Sequence, residues 1–450
     1  MANHEQMTGA PSPRAFAGKF LGVFALRTGG AALSLIATVV LARALGTSGF
    51  GLYSYAIALI ALLAIPAQFG IGTLLMRFCS AYQREQKWGL LRGLLRWANS
   101  IVLITSVLFA AAAAIVLTLF PRLLPEGGRG AVWIALTLLP IVTLGELRAA
   151  SLTGLHQYRK GQLPEMFIRP GGVILIVGAV RLMRPQAAFT AAEVMLYYVA
   201  ASVVAFGLGT RWLWRALPAD IRQVAPETDV PEWRRIGQVL TLSRGGGMIL
   251  NRIDLLFLGA LAGASSTGVY RSAAALSSLI AFGLAAVNVV AAPNFSRLHV
   301  DTDRAEIKRT LIMASTLSIG CAIPIVAILI VFGRDIISLV YGRSFAGAYA
   351  PLIILALGQL FNAATGPVGS LLVMTGQEWW NMIGVTTALA VATPAYLLLV
   401  PQYGAVGAAI AAATGVVLLN GIIATRAWYW LGSASGTERM NNAEADVYGG

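Results

Sequence analysis

RGGGMILNRIDLLFLGALAGASSTGVYRSA, residues 244–273, lies without a gap over RTGGAALSLIATVVLARALGTSGFGLYSYA, residues 27–56, when the chain is displaced by 217 positions against itself. Eleven of the 30 positions are identical: Arg27/Arg244, Gly29/Gly246, Gly30/Gly247, Leu33/Leu250, Ile36/Ile253, Leu41/Leu258, Gly46/Gly263, Ser48/Ser265, Gly51/Gly268, Tyr53/Tyr270 and Ala56/Ala273. The matches include most of the glycines, so chance agreement among abundant Leu and Gly is a poor explanation. The chain reads as two copies of one unit, and composition says what kind of unit it is.

Apolar residues make up 57% of the 450 positions and charged residues 12%, with a mean hydropathy of +0.74. A soluble domain carries about a quarter charged residues, so this is a polytopic membrane protein whose building block is a span of about 20 apolar residues. Twelve such segments are legible, near 20–43, 52–75, 98–120, 131–153, 170–183, 190–210, 236–262, 268–292, 310–333, 346–371, 380–400 and 405–427. The fifth is short and extends, if anywhere, into the residues before Pro170. Six spans per copy give both halves one orientation, related by an axis along the membrane normal. That is the parallel-repeat plan of transporters, which rock two bundles about a central site. The expected architecture is all-α: about 12 transmembrane helices in two six-helix lobes related by a pseudo-two-fold along the normal. The N-terminal bundle is placed at 14–212, a cytoplasmic interfacial connector at 213–235, the C-terminal bundle at 236–430 and a disordered cytoplasmic tail at 431–450. Trp214 and Trp233 mark the connector, with Trp212 just before it, and WGLLRGLLRW at 88–97 reads as a similar surface helix.

Orientation follows from the basic residues. With an even number of spans both termini share a side, and 21 of the 33 Lys and Arg, Arg169 among them, fall there. Eight, including Arg271, fall opposite, and Arg27, Arg148, Arg244 and Arg252 lie within spans. The termini are therefore expected in the cytoplasm. The basic balance does not indicate nucleic acid, because the cations are spread over short segments between apolar runs. Two cysteines, Cys79 and Cys321, make no disulfide framework. No cleavable signal peptide is visible ahead of Phe20. The three histidines lack metal-ligand spacing and no phosphate loop or dinucleotide fingerprint is present, so neither a metal site nor a cofactor is expected. Asp301-Thr302-Asp303 resembles a sugar-nucleotide transferase pattern but has no nucleotide domain around it, and is read as solvated loop.

Charges inside spans are costly, by about 2.5–3.5 kcal/mol each on insertion scales, and three (Arg244, Arg252 and Asp254) are grouped in one segment with Asn251. Arg27 and Arg244 sit at equivalent places, about two turns in from the inner ends of spans 1 and 7. On a continuous helix, Asn251 falls near the face of Arg244, with Arg252 and Asp254 to either side, giving a wide polar face suited to a watery cavity. Span 4 adds Glu146 and Arg148. Each residue also has a plainer reading. Arg27, Arg148 and Arg244 can snorkel to the interface, Arg252 and Asp254 can pair with another helix, and the glycines can serve helix packing alone. Gly46 and Gly51, like Gly263 and Gly268, read as outer turns between spans.

LARALGTSGFGLYSYA (41–56), FGIGTLLMRFCSAY (69–82), LNRIDLLFLGAL (250–261), TGVYRSAAAL (267–276), APNFSRLH (292–299), GRSFAGAY (342–349) and YGAVGAAIAA (403–412) resemble bacterial polysaccharide and O-antigen precursor flippases of the multidrug/oligosaccharidyl-lipid/polysaccharide exporter superfamily. The likeness covers almost the whole chain. It implies two six-helix lobes forming a V around a cationic cavity. It also implies export of undecaprenyl-diphosphate-linked oligosaccharide from the inner to the outer leaflet of the bacterial cytoplasmic membrane, without enzymatic chemistry. Its partners would be that lipid-linked oligosaccharide, membrane lipids and other polysaccharide-assembly proteins. Arginine binds phosphate oxygens through paired donors, which suits Arg27, Arg244, Arg252 and Arg148 to a diphosphate. Asn251, Asp254 and Glu146 are the candidates for polar cavity lining or for coupling to a cation. Two alternatives stand beside this: a drug or organic-cation antiporter of the same fold, which needs an acidic or aromatic cavity, and a membrane glycan polymerase or ligase, which usually needs a large outer loop.

Overall fold

The computed structural model describes residues 13–432 apart from 69, 187, 219–220, 222–223, 251 and 301–302, with the side chains of 13–21, 23–24 and 238–246 also outside the description. Among the described residues every regular element is helical, as a bilayer demands of a chain that must satisfy its own backbone. Nine helical stretches among the described residues are long and apolar enough to cross a membrane. Three of them reverse on a glycine with positive φ: Ala25–Gln68 at Gly46 (φ 65°), Gly247–Val300 at Gly263 (φ 79°) and Glu378–Gly432 at Gly404 (φ 54°). Glycine tolerates that backbone where an L side chain does not. Each reversal adds a crossing, so the chain makes the expected twelve, in two lobes.

Side-chain contacts trace the first hairpin. In α1 (Pro13–Gln68) the Arg27 Nε donates to the Tyr158 hydroxyl at 2.9 Å, on the side of the termini, while Leu52 lies against Gly127 at the far end. Gln68 then returns beside Glu146. In α9 (Ile253–Ser277) the Tyr270 hydroxyl donates to Asp254 at 2.7 Å. Sixteen residues of straight helix would separate those two by about 24 Å, so the chain must fold back at Gly263 between them.

The equivalent glycines beyond these turns form the seam between the lobes. A Cβ on Gly51 would run into the Ala264 carbonyl, and one on Gly268 into the Thr47 carbonyl. Thr47 and Ala264 are themselves related by the 217-residue shift, so the contact is reciprocal about the pseudo-two-fold. The Ser265 hydroxyl donates to that of Thr47 at 3.3 Å across the same seam.

Three local expectations change. The fifth crossing runs from Tyr158 to Met183, through α5 (Tyr158–Leu163), a π-helical turn at Pro164–Ile168 and α6 (Arg169–Met183). Pro164 and Pro170 each remove a backbone donor, so the helix loosens there without ending. WGLLRGLLRW is the start of α3 (Trp88–Leu119) rather than a separate surface helix, since nothing between Trp97 and Ala98 breaks it. The expected connector 213–235 is divided: α7 (Ala191–Ala216) takes its first residues and α8 (Val230–Leu250) its last. Trp233 is fully buried, its indole donating to the Tyr82 hydroxyl at 3.1 Å and its ring 5.5 Å from Trp97. Protein, and not headgroups, surrounds it, because α2 (Ile71–Arg84) and α3 reach the same depth. Most of the expected tail, 433–450, lies outside the described residues.

The seam predicts a specific sensitivity. In a Cys321→Ser background, Ser265→Cys should be labelled faster by a membrane-impermeant maleimide once Gly268→Leu forces the outer ends apart. Gly320→Leu, where nothing lies within 4 Å of the added carbon, should leave labelling unchanged; equal rates in both variants would contradict the close contact.

Candidate functional site

Just inside the glycine seam lies a cavity of about 310 Å³, walled by both halves. The N-terminal half contributes Ser34, Thr38 and Ser54 from α1, Glu165 and Arg169 from the fifth crossing and Tyr198 from α7. The C-terminal half contributes Arg252, Leu255 and Arg271. Three guanidinium groups therefore face a space holding one carboxylate.

Arg252 reaches the cavity because the seventh crossing is broken. The regular helix of α8 ends at Leu250, Arg252 takes up φ −135° and ψ −19°, and α9 starts at Ile253. The wide polar face expected of a continuous helix is thus replaced by a helix break, which membrane proteins tolerate where backbone is buried in protein or lines a cavity. Asp254 occupies the first turn of α9. One of its oxygens accepts from its neighbour's amide, Leu255 N, at 2.8 Å and the other from Tyr270. It is tied to the eighth crossing and is not among the residues lining the cavity.

Arg148, on α4 (Arg129–Gly154), lies behind the cavity. It does not snorkel: its side chain is 3% exposed. Its Nη1 donates to the Phe206 carbonyl at 2.7 Å and its Nη2 to Glu165 at 3.0 Å. Two glycines make this possible, since a Cβ at Gly209 would collide with the guanidinium and one at Gly145 would approach Glu165 to 2.8 Å. The other Glu165 oxygen takes Arg169, four residues on, whose Nη1 also donates to the Tyr198 hydroxyl at 3.2 Å. Glu165 is therefore shared between a buried arginine and a cavity arginine, and offers little free negative charge to a ligand.

Arg27 is exposed and held by Tyr158. It lies seven residues before cavity-lining Ser34, hence on the same face of α1 toward the termini. Glu146 is exposed and accepts from Gln68 at 2.6 Å. The Arg244 side chain and Asn251 lie outside the described residues. The glycines after Arg27 pack helices: a Cβ on Gly30 would come within 2.9 Å of Met166.

Sequence reasoning missed Arg169, Arg271 and Glu165. Arg169 was assigned to the termini side and Arg271 to the outer side, yet each lies well inside its crossing, about 16 Å from Tyr158 and about 12 Å from Gly263 by helical rise. The i,i+4 spacing of Glu165 and Arg169, and the alignment of Arg271 with Ser54 in the repeat, were the available signals. Moving both arginines to the cavity leaves 20 basic residues on the termini side against 7 opposite, so the asymmetry persists.

Twelve helical crossings in two like halves, meeting around a cationic cavity, define an integral membrane transporter. The chain belongs to the polysaccharide biosynthesis protein family, whose model matches residues 20–299. It is 22% identical over 397 residues, 85% of this chain and 77% of the relative, to the probable low-salt glycan biosynthesis flippase Agl15 of Haloferax volcanii. In fold it is similar to a multidrug resistance MATE family transporter of the MOP superfamily in an inward-facing conformation, with TM-score 0.74 at 14% identity over 92% of this chain and 96% of that one. It is also similar to the lipid II flippase MurJ in an inward closed conformation, with TM-score 0.69 at 16% identity over 89% and 86% of the two chains. The protein is a transporter and not an enzyme.

The shared carboxylate carries a stability prediction. Removing one partner of a buried ion pair costs about 3–5 kcal/mol, so Glu165→Ala, which strands Arg148, should markedly lower the unfolding temperature in detergent. Glu146→Ala, at an exposed site, should not; equal melting of the two variants would show that the pair is not structural.

Proposed function

We propose that this protein moves an undecaprenyl-diphosphate-linked oligosaccharide from the cytoplasmic to the outer leaflet of a bacterial inner membrane by alternating access. The observation carrying this reading is the sign of the cavity: Arg169, Arg252 and Arg271 against Glu165 alone, with Glu165 itself engaged by two arginines. A diphosphate is multiply anionic and matches the paired donors of guanidinium groups. An organic cation would meet repulsion here. The polysaccharide family and the relative named as a glycan biosynthesis flippase support a glycan as the other end of the cargo.

In this reading Arg252, Arg169 and Arg271 bind the diphosphate, while Arg27 meets it on the approach along α1. Arg244, its repeat partner, stands at the corresponding place on the seventh crossing. Arg148 acts indirectly by holding Glu165. Asp254 follows the helix break, where a change in its geometry would move Arg252, Asn251 precedes Arg252 in the sequence, and Glu146 borders the polar path on the fourth crossing. The bundles 14–212 and 236–430 rock about the glycine seam, with both termini in the cytoplasm as the basic asymmetry directs. Delivery from and hand-over to other polysaccharide-assembly proteins follows from a cargo made on one leaflet and used on the other.

The test is direct. A charge-assisted hydrogen bond contributes about 1.5–3 kcal/mol, so Arg252→Ala or Arg271→Ala should slow export about ten- to hundredfold at limiting cargo, with lipid-linked oligosaccharide accumulating on the inner leaflet. Lysine at either position keeps the charge but loses the fork and should restore export only in part. Normal export by both alanine variants, with the protein correctly inserted, would overturn the proposal.

A further inference from the structure

The glycine seam joins the turns of α1 and α9, and a second contact between the halves involves a different pair of helices. Arg43, three residues before the Gly46 turn of α1, donates from Nε to the Val340 carbonyl at 2.7 Å and from Nη2 to the Leu339 carbonyl. Both acceptors belong to the last turn of the ninth crossing, Arg304–Val340. A side chain of the N-terminal half is thus tied to a helix end of the C-terminal half. The repeat does not duplicate this tie, because Ala260 stands at the position equivalent to Arg43.

The chemistry of the tie is that of a helix terminus. The last four carbonyls of a helix have no intrahelical partner and carry the negative end of its dipole, and two consecutive ones match the paired donors of a guanidinium. The 37 residues of the ninth crossing span about 55 Å, well beyond a hydrocarbon core of about 30 Å, so this end stands at headgroup level away from the termini. Arg43 is exposed there, and its charge returns to water when the tie is broken. Both partners lead directly into a pair of buried rings. Phe50, seven residues past Arg43 around the Gly46 turn, meets Phe345, five residues past Val340 around Gly342 (φ 102°), edge to face at 6.2 Å. Each ring is 1% exposed, and Phe50 also lines the central cavity. The ring pair therefore walls the cavity on the side away from the termini, and Arg43 holds together the two segments that carry it.

We propose that Arg43 positions the Phe50–Phe345 wall and latches the cavity shut on the side away from the termini. Rocking about the glycine seam exposes the cavity to that side only when the guanidinium leaves the end of the ninth crossing and the two rings part. The seam is made by backbone from both copies of the repeat, whereas the latch is one-sided and made by a single exposed side chain, so the latch is the contact that opens. This inference rests on the alternating-access reading but not on the identity of the cargo.

Labelling by a membrane-impermeant maleimide tests it on Thr38→Cys, a cavity-lining position of α1, in a Cys321→Ser background whose remaining Cys79 is buried. A hydrogen bond to a charged group is worth about tenfold in an equilibrium. In vesicles presenting the side away from the termini, Arg43→Ala should therefore raise the labelling rate by about that factor. Arg43→Lys keeps the charge but loses the fork and should fall between the two. Arg122→Ala, which removes an exposed arginine from the turn Pro121–Leu123 on the same side, should leave the rate unchanged. In vesicles of the opposite orientation Arg43→Ala should label no faster, whereas a general loosening of the fold would speed labelling from both sides. The measurement needs no cargo, so it stands apart from the outcome of the export assay on Arg252 and Arg271. An unchanged rate in Arg43→Ala, an equal rise in Arg122→Ala, or a rise from both sides would each overturn the proposal.

Discussion

The two halves touch through backbone. Gly51 lies against the Ala264 carbonyl and Gly268 against the Thr47 carbonyl, an approach that any Cβ would prevent. Without a hydrophobic effect between helices in lipid, association depends on close packing and polar contacts, and here the packing is between turns related by the internal repeat. A reciprocal contact at one end holds the two bundles in register there. The cavity with its arginines begins just inside this contact, so its shape depends on how far the halves diverge from it.

Charge inside the membrane is managed by sharing. Glu165 meets Arg148 on one side and Arg169 on the other, which stabilises a buried guanidinium and leaves the cavity with a surplus of positive charge. Gly145 and Gly209 clear the volume that this ion pair occupies, and the π-helical turn at Pro164–Ile168 carries Glu165 itself. Such turns accompany functional positions elsewhere. Here the prolines that loosen the helix also set the direction in which its carboxylate and Arg169 emerge.

Much of the fold was legible in the chain because its determinants are local. The 217-residue repeat, the glycines at 46 and 263 and the run of apolar segments each follow from residue type and spacing. Arg252 was legible as a charge inside an apolar run. Arg169 and Arg271 were not, because a charge near the edge of an apolar segment is ordinarily a loop residue, and Pro170 looks like the start of a helix when it lies in the middle of one. The partner of Arg148 was hidden for a different reason. Glu165 stands 17 positions away across a turn, and the space left by Gly145 and by Gly209 on a third helix lets the two come together.

The asymmetry of the site explains why the repeat stops where it does. Arg252 and Arg271 stand opposite Leu35 and Ser54 in the other copy, whereas Gly46, Gly51 and their counterparts match. A contact between two like bundles is reciprocal only when both sides present the same turn, and here the turns keep the symmetry of the repeat. A ligand lying near the pseudo-two-fold axis does not share that symmetry unless it is itself two-fold, and it meets different groups from each half. The frame is therefore symmetric where the lobes bear on each other, and the charge is asymmetric where the cavity lies between them. The break at Arg252 marks the boundary between the two regimes: the helix that carries the repeat's glycine and arginine ends there, and the first residue past Asn251 turns its charge into the cavity.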